Sequence, residues 1–269
     1  MGVDALEEEE LCVASTEAVP YPVVAKWAGR QVALAEERER SAVAPAPPLP
    51  SASAPFSASL CPPPYFFYTD GVAAVDRAIG GINGIDTPIE MAESHAAFLS
   101  SYAEGHRIEW CYNPTSGFVF DLLKVFAFDY LGLSLGAARL LRERWSAFHN
   151  ENLERPEAKY LQFCHSKGAI DVRIALSSLP PEVRNRVIVV ALAPAAIISR
   201  ELCSASYNYA SRLDLVPYGK LFVSPSPQEA ALLAQLIILD PKLGEIGHEL
   251  QSGIFNEVIA HHMQGYLVG

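Results

Sequence analysis

From Tyr65 onward, short apolar runs alternate with longer segments whose apolar residues recur at helical spacing. Residues 77–85 read as a strand running into an Asn-Gly turn. Pro88, at a first helical turn where its missing N–H is no loss, opens a helix over residues 89–103. Residues 106–112 read as a second strand, closed by Asn113-Pro114. Residues 118–133 and 137–153 read as helices, the second with Arg139, Arg142, Glu143 and Arg144 on its wet side. Residues 160–164 form a third strand, followed by a helix over 169–179 that stops at Pro180-Pro181. Residues 186–192, with Val187-Ile188-Val189-Val190 within them, read as a strand of the kind buried on both faces of a parallel sheet. Further strand-like runs occur at 221–223 and 236–239, and residues 256–266 read as a closing helix. This alternation predicts an α/β fold, with a mostly parallel sheet covered by helices on both faces.

Residues 1–64 do not share the pattern. An acidic cluster, Glu7 to Glu10, precedes a short helical segment over residues 23–40 that ends in mixed charge. Residues 41–64 are dominated by Ala, Ser and Pro and include Pro47-Pro48 and Pro62-Pro63-Pro64. Such a composition buries too little apolar surface to offset chain entropy, so a disordered leader or linker is expected. It serves either as a spacer or as a tether that meets a protein partner. The globular domain is expected over residues 65–269.

Charge and cysteine usage narrow the function classes. The formal net charge of −11, with no Lys/Arg stripe, argues against a nucleic-acid partner, because phosphate neutralisation needs clustered basic residues. The five cysteines are scattered and include no Cys-x-x-Cys pair, which leaves free thiols in a reducing compartment and no metal site as the expectation. The run from Gly80 to Gly84 lacks the Lys-Ser/Thr ending of a phosphate loop and the spacing of a dinucleotide fingerprint, so no cofactor is expected. Residues 118–133, the most lipophilic stretch, are interrupted by Asp121, Lys124 and Asp129 and are too short and charged to span a bilayer. Glu7 to Glu10 stand where a Sec signal would be basic and then apolar. A cytoplasmic protein, or one secreted without a Sec signal, is the expected location.

The chemistry concentrates at Cys164-His165-Ser166-Lys167-Gly168, between a predicted strand and a predicted helix. A serine on such a tight turn is lifted above the sheet edge, within reach of a base, and the helix N-terminus offers N–H groups to an oxyanion. Small residues are wanted two positions before and after the serine; here they are Cys164 and Gly168. Downstream, Asp214 follows a short strand-like run and precedes Val216-Pro217, a place from which a carboxylate can fix an imidazole tautomer. His248 lies in a loop before the closing helix and is the expected base. His165 should point away from the Ser166 hydroxyl, while His261 and His262 are expected on the surface of the last helix. His95, His106 and His149 belong to elements upstream of the turn. Ser166, Asp214 and His248 therefore stand in the order Ser…Asp…His. The oxyanion donors are expected to be the Lys167 N–H and one from Asn83, Gly84 or Ile85, in the loop after the first long strand.

These segments resemble the α/β-hydrolase superfamily. The stretch 163–169 is similar to the His-Ser-x-Gly-Gly turn of lipases, 212–217 to their acid segment, and 248–266 to the histidine and closing helix of esterases. Cys164, and Ala169 in place of a second glycine, depart from that pattern. More closely, residues 65–266 resemble an uncharacterised family of Chlamydia-type bacteria, through Gly81-Ile82-Asn83-Gly84-Ile85, Ala92-Glu93-Ser94-His95, Tyr112-Asn113-Pro114-Thr115 and the serine turn. The resemblance implies a hydrolase-like fold and supplies no substrate; a secreted effector role would follow from the lifestyle of such organisms. Two functions follow: a serine hydrolase cleaving a small-molecule or lipid acyl ester, or a catalytically inactive hydrolase-fold binding or effector protein.

Overall fold

The computed structural model describes residues 62–114, 136–218, 227–241 and 247–268. A seven-stranded sheet runs through the described residues in the order β1-β3-β2-β4-β5-β6-β7. Its strands are β1 (Tyr65–Tyr68), β2 (Arg77–Ile82), β3 (Ile108–Tyr112), β4 (Lys159–His165), β5 (Val187–Leu192), β6 (Ala205–Ser211) and β7 (Leu236–Leu239). Only the edge strand β1 is antiparallel to its neighbour; every other pairing is parallel. The helices are α1 (Ile89–Ser100), α2 (Gly136–Glu151), α3 (Gly168–Ser177), α4 (Pro181–Arg184), α5 (Pro227–Leu233) and α6 (Asn256–Val268).

The strands alternate their side chains between two apolar layers, as the pleat requires. In β4, Tyr160 and Cys164 face a core built with α2, α3 and α4, while Leu161 and Phe163 face one built with α1 and α6. Trp145 and Phe148 of α2 meet Tyr160 edge-on, with ring centroids at 6.3 and 5.5 Å. On the other side Leu99, Ile259 and Met263 join the layer that contains Ile79, Trp110 and Phe163. A fully buried side chain of this size contributes on the order of 1.5–3 kcal/mol, so both layers hold the sheet flat against its helices. A polar rivet joins α2 to β3: Arg144 grips Glu109 through two nitrogens at 2.6 and 3.0 Å, and the Tyr160 hydroxyl donates to the same carboxylate at 2.9 Å. The architecture is α/β, a mostly parallel sheet with helices on both faces.

Strand order determines where a ligand can sit. The chain passes from β2 outward to β3, then returns to place β4 on the other side of β2 and continues to β5, β6 and β7. Connections diverge between β2 and β4, which opens a crevice beyond their carboxyl ends. The Asn83–Gly84 loop follows β2, and the Ser166 turn follows β4.

The sequence expectations differ from the structure mainly at boundaries. The first long strand ends at Ile82 instead of 85, and α1 ends at Ser100 because the chain turns through the positive-φ pair Glu104 and Gly105. β1, α4 and α5 were not foreseen, and β6 was expected only as a short strand-like run before Asp214, without bounds. In β6 the inward positions include Ser206 and Asn208, which conceal the apolar alternation. Both are satisfied by the Ile198 backbone: its carbonyl accepts from Ser206 Oγ at 2.8 Å and Asn208 Nδ2 at 3.0 Å, and its N–H donates to Asn208 Oδ1 at 2.9 Å. The leader over residues 1–61, the helix expected at 118–133 and the strand expected at 221–223 lie outside the described residues.

Candidate active site

Ser166 is the residue at which β4 turns into α3, and its backbone is in the left-handed region at φ 51°. An L-residue with a Cβ pays roughly 1–2 kcal/mol to stand there, and surrounding structure must hold it. Here the turn is fastened on both flanks. The Ser166 N–H donates to Leu192 O at 3.2 Å, and its carbonyl accepts from Ala169 N at 3.1 Å and Ala195 N at 3.0 Å. Gly168 permits the helix to start so close to the sheet, since a Cβ there would lie 2.8 Å from Asn83 O. Cys164 fits by turning its thiol inward: it is fully buried beside its strand partners Ile82 and Ala191, and burial pushes the thiol well above its ordinary pKa. Cys111, Cys164 and Cys203 are free and buried.

Asp214 and His248 come together from different elements. Asp214 follows β6 and is fully buried; its Oδ2 lies 3.0 Å from His248 Nδ1, and its Oδ1 accepts the Val216 N–H at 3.0 Å. The His248 side chain is 27 % exposed, so one face of the ring is open while the other is held. Burial pulls its pKa down, but the hydrogen bond and charge of Asp214, helped by Glu249, outweigh that and leave it above the ordinary histidine value. No hydrogen bond joins Ser166 Oγ to His248.

The β2 loop borders the serine. Gly84 is buried with its backbone against the turn: a Cβ there would lie 2.9 Å from Ser166 Cβ and 3.0 Å from His165 Nδ1. The backbone N–H groups of Lys167, Gly84 and Ile85 donate to no acceptor among the described residues. The Asn83 side chain, by contrast, is fully engaged. Its Oδ1 accepts the Asn113 N–H at 2.8 Å, and its Nδ2 donates to Asn113 O at 2.9 Å and Gly84 O at 3.0 Å.

A buried polar chain extends from that loop to the serine turn, and sequence reasoning missed it. Asn113 Nδ2 donates to Asp171 Oδ2 at 2.8 Å, and the same oxygen pairs with Lys167 Nζ at 3.2 Å. Asp171 stands in the first turn of α3, where a carboxylate also complements the helix dipole. The Lys167 side chain is only 9 % exposed and that of Asp171 is fully buried. Asp171→Ala would strand the Lys167 ammonium away from water, so a loss of about 3–5 kcal/mol in unfolding free energy is expected. Urea denaturation measures it; a loss below about 1 kcal/mol would mean that the pair is not what holds this corner.

Other histidines take places the sequence did not suggest. His262 is half-buried and bonded to the Tyr209 hydroxyl at 2.9 Å, because it falls one helical turn after the buried Val258 and Ile259. Its pKa is pulled down to about 4 by burial and by neighbouring His261. His95 and His165 are both buried and meet edge-on at 6.2 Å. Among the described residues no group of three His, Cys, Asp or Glu side chains is placed to hold a metal ion, and no helix is long and apolar enough to cross a membrane.

No protein-family model matches the chain, and no curated protein matches it. Among solved structures, the chain is similar to a cutinase-like protein from Cryptococcus sp., at 11 % identity and a TM-score of 0.38 over 74 % of this chain and 97 % of that one. It is also similar to an uncharacterised protein from Capnocytophaga ochracea DSM 7271, at 10 % identity and a TM-score of 0.37 over 74 % of this chain and 59 % of that one.

Proposed function

We propose that the chain is a serine hydrolase that cleaves an acyl ester through an acyl-serine intermediate. Residues 65–269 form the hydrolase-like domain in this reading, and residues 1–64 its leader. The observation that carries it is the left-handed backbone of Ser166 at the carboxyl end of β4. Strain of this kind persists where the fold over-determines it, and the serine stands beside Gly84, where a Cβ would lie 2.9 Å from Ser166 Cβ. The Asp214–His248 pair stands ready on the same sheet edge.

The steps balance with these groups alone. Ser166 Oγ attacks the ester carbonyl as its proton passes to His248 Nε2, while Asp214 holds the Nδ1–H and stabilises the imidazolium. The oxyanion takes hydrogen bonds from the Lys167 N–H and from the backbone N–H of Asn83, Gly84 or Ile85. Collapse expels the alkoxide, which receives the proton from His248, and leaves the acyl-serine. Water then repeats the sequence, releasing the carboxylic acid and free Ser166.

A second reading, a hydrolase fold kept for binding, is favoured by one observation: the missing Ser166–His248 hydrogen bond. Labelling separates the two. A fluorophosphonate probe should add once to the folded chain, with the mass increment on the peptide carrying Ser166. A folded protein that takes up no probe would exclude the hydrolase and leave the binding module.

A further inference from the structure

We propose that His165, the residue before the serine, is a positioning residue that clamps the His248 loop to the serine turn and sets its spacing from the Gly84 loop. The inference rests on the hydrolase reading and goes beyond it by giving a role to a side chain that takes no part in proton transfer.

The geometry fixes what the ring does. His165 ends β4, is 4 % exposed, and turns to the sheet face opposite Cys164. Its Nε2 lies 2.8 Å from the backbone carbonyl of His248. A carbonyl only accepts, so Nε2 carries the hydrogen and Nδ1 keeps its lone pair. The Nδ1 edge abuts Gly84, where a Cβ would come within 3.0 Å of Nδ1 and 3.4 Å of Cε1. No hydrogen bond reaches Nδ1, so that edge serves as a spacer. A single imidazole thus spans from the loop of the proposed oxyanion donors to the loop of the proposed base. His95 of α1 meets the ring edge-on at 6.2 Å, and the His248 ring lies 5.2 Å away.

The clamp is also held neutral. Burial is the main cause that pulls the His165 pKa down to about 3; the nearby His248 and His95 rings add to it, against the hydrogen bond to the carbonyl. The ring therefore keeps one tautomer through the pH range in which His248 titrates. Anchoring the His248 backbone leaves its ring free to move only about its own side-chain torsions, between Asp214 and the serine. Loss of the anchor lets the base drift, and a displacement near 1 Å at a reacting group costs about 10²-fold in rate.

The test compares His165→Leu, which fills space without a donor, with His165→Gln, whose amide nitrogen can replace Nε2–H. The rate constant for fluorophosphonate inactivation should fall about 10²-fold in His165→Leu with the probe's binding constant unchanged, and return to within about 5-fold of wild type in His165→Gln. Wild-type rate in His165→Leu, or an equal loss in both variants, overturns the clamp. Wild type that folds and takes up no probe overturns the hydrolase reading, and with it the catalytic sense of the inference. The clamp itself is read separately by long-range ¹⁵N–¹H correlation on the wild-type imidazoles: an Nε2–H tautomer for His165 supports it, and an Nδ1–H tautomer overturns it. That measurement stands even where the leucine variant does not fold.

Discussion

Ser166→Ala is expected to lower acyl-ester hydrolysis by about 10⁵- to 10⁶-fold, the loss seen when a nucleophile that acts as part of a unit is removed. Stability should hardly change. The Ser166 hydroxyl makes no hydrogen bond among the described residues, so its removal orphans nothing, and the three backbone bonds that fasten the turn do not involve the side chain. Alanine tolerates φ 51° as poorly as serine does, so the strain is unchanged. Ser166→Gly should be equally inactive yet more stable, by up to about 1 kcal/mol, because glycine relieves the left-handed backbone and gives back part of that in unfolded-state entropy. Hydrolysis of a short-chain aryl ester and urea denaturation of the three proteins give both readings. An alanine variant within 10-fold of the wild-type rate would mean that the nucleophile is another group. A glycine variant less stable than wild type would mean that the turn is not strained. Opposite movement of activity and stability at one residue is the signature of strain kept for function.

What could be read from the sequence was what repeats or what stands at a turn. β5 announced itself through an uninterrupted apolar run, and β7 was recovered with the bounds Leu236–Leu239, because neither depends on distant residues. The serine turn was legible for the same reason: strand, serine, glycine and helix follow one another directly over residues 159–177. The candidate acid and base rest on their placement, after a strand-like run and in a loop before the closing helix, with chain order in agreement, and Asp214 and His248 lie 3.0 Å apart. What stayed hidden needs strand order. Asn83 and Asn113 look like turn residues, an Asn-Gly and an Asn-Pro, until β2 and β3 lie side by side and their ends exchange hydrogen bonds. Asp171 looks like a solvated helix residue until α3 is packed and Lys167 folds over it. His165 was set aside as a base because it points away from the serine, and that direction is what lets it reach the His248 carbonyl. The extent of β6, expected only as a short strand-like run before Asp214, was blurred by chemistry: its inward Ser206 and Asn208 break the apolar alternation and are satisfied by the Ile198 backbone. Local pattern thus carried the layers, while the polar ties between loops depended on topology.

Asp214→Asn should lower kcat/KM by about 10⁴-fold, and the reason lies in which oxygen is already taken. Oδ1 of Asp214 accepts the Val216 N–H at 3.0 Å, while Oδ2 faces His248 Nδ1 at 3.0 Å. An asparagine must keep its oxygen toward the Val216 donor, because an amide NH₂ there would set two donors against each other in a buried place. The NH₂ then faces Nδ1 and donates to it. This forces the hydrogen of the His248 ring onto Nε2, the nitrogen that receives the Ser166 proton in the proposed mechanism. The base is held in the wrong tautomer although no atom has moved far. The pH dependence moves as well. A general base works unprotonated, so the wild-type rate should rise with pH through a His248 pKa held above the ordinary value by the Asp214 hydrogen bond and charge against the pull of burial. In the asparagine variant burial remains while that support is lost, so the acid limb should shift to lower pH on a plateau about 10⁴-fold down. Imidazole ¹⁵N shifts would show the tautomer change directly. A variant that keeps its Nδ1–H tautomer and loses less than about 10-fold in rate would mean that Asp214 does not orient the base.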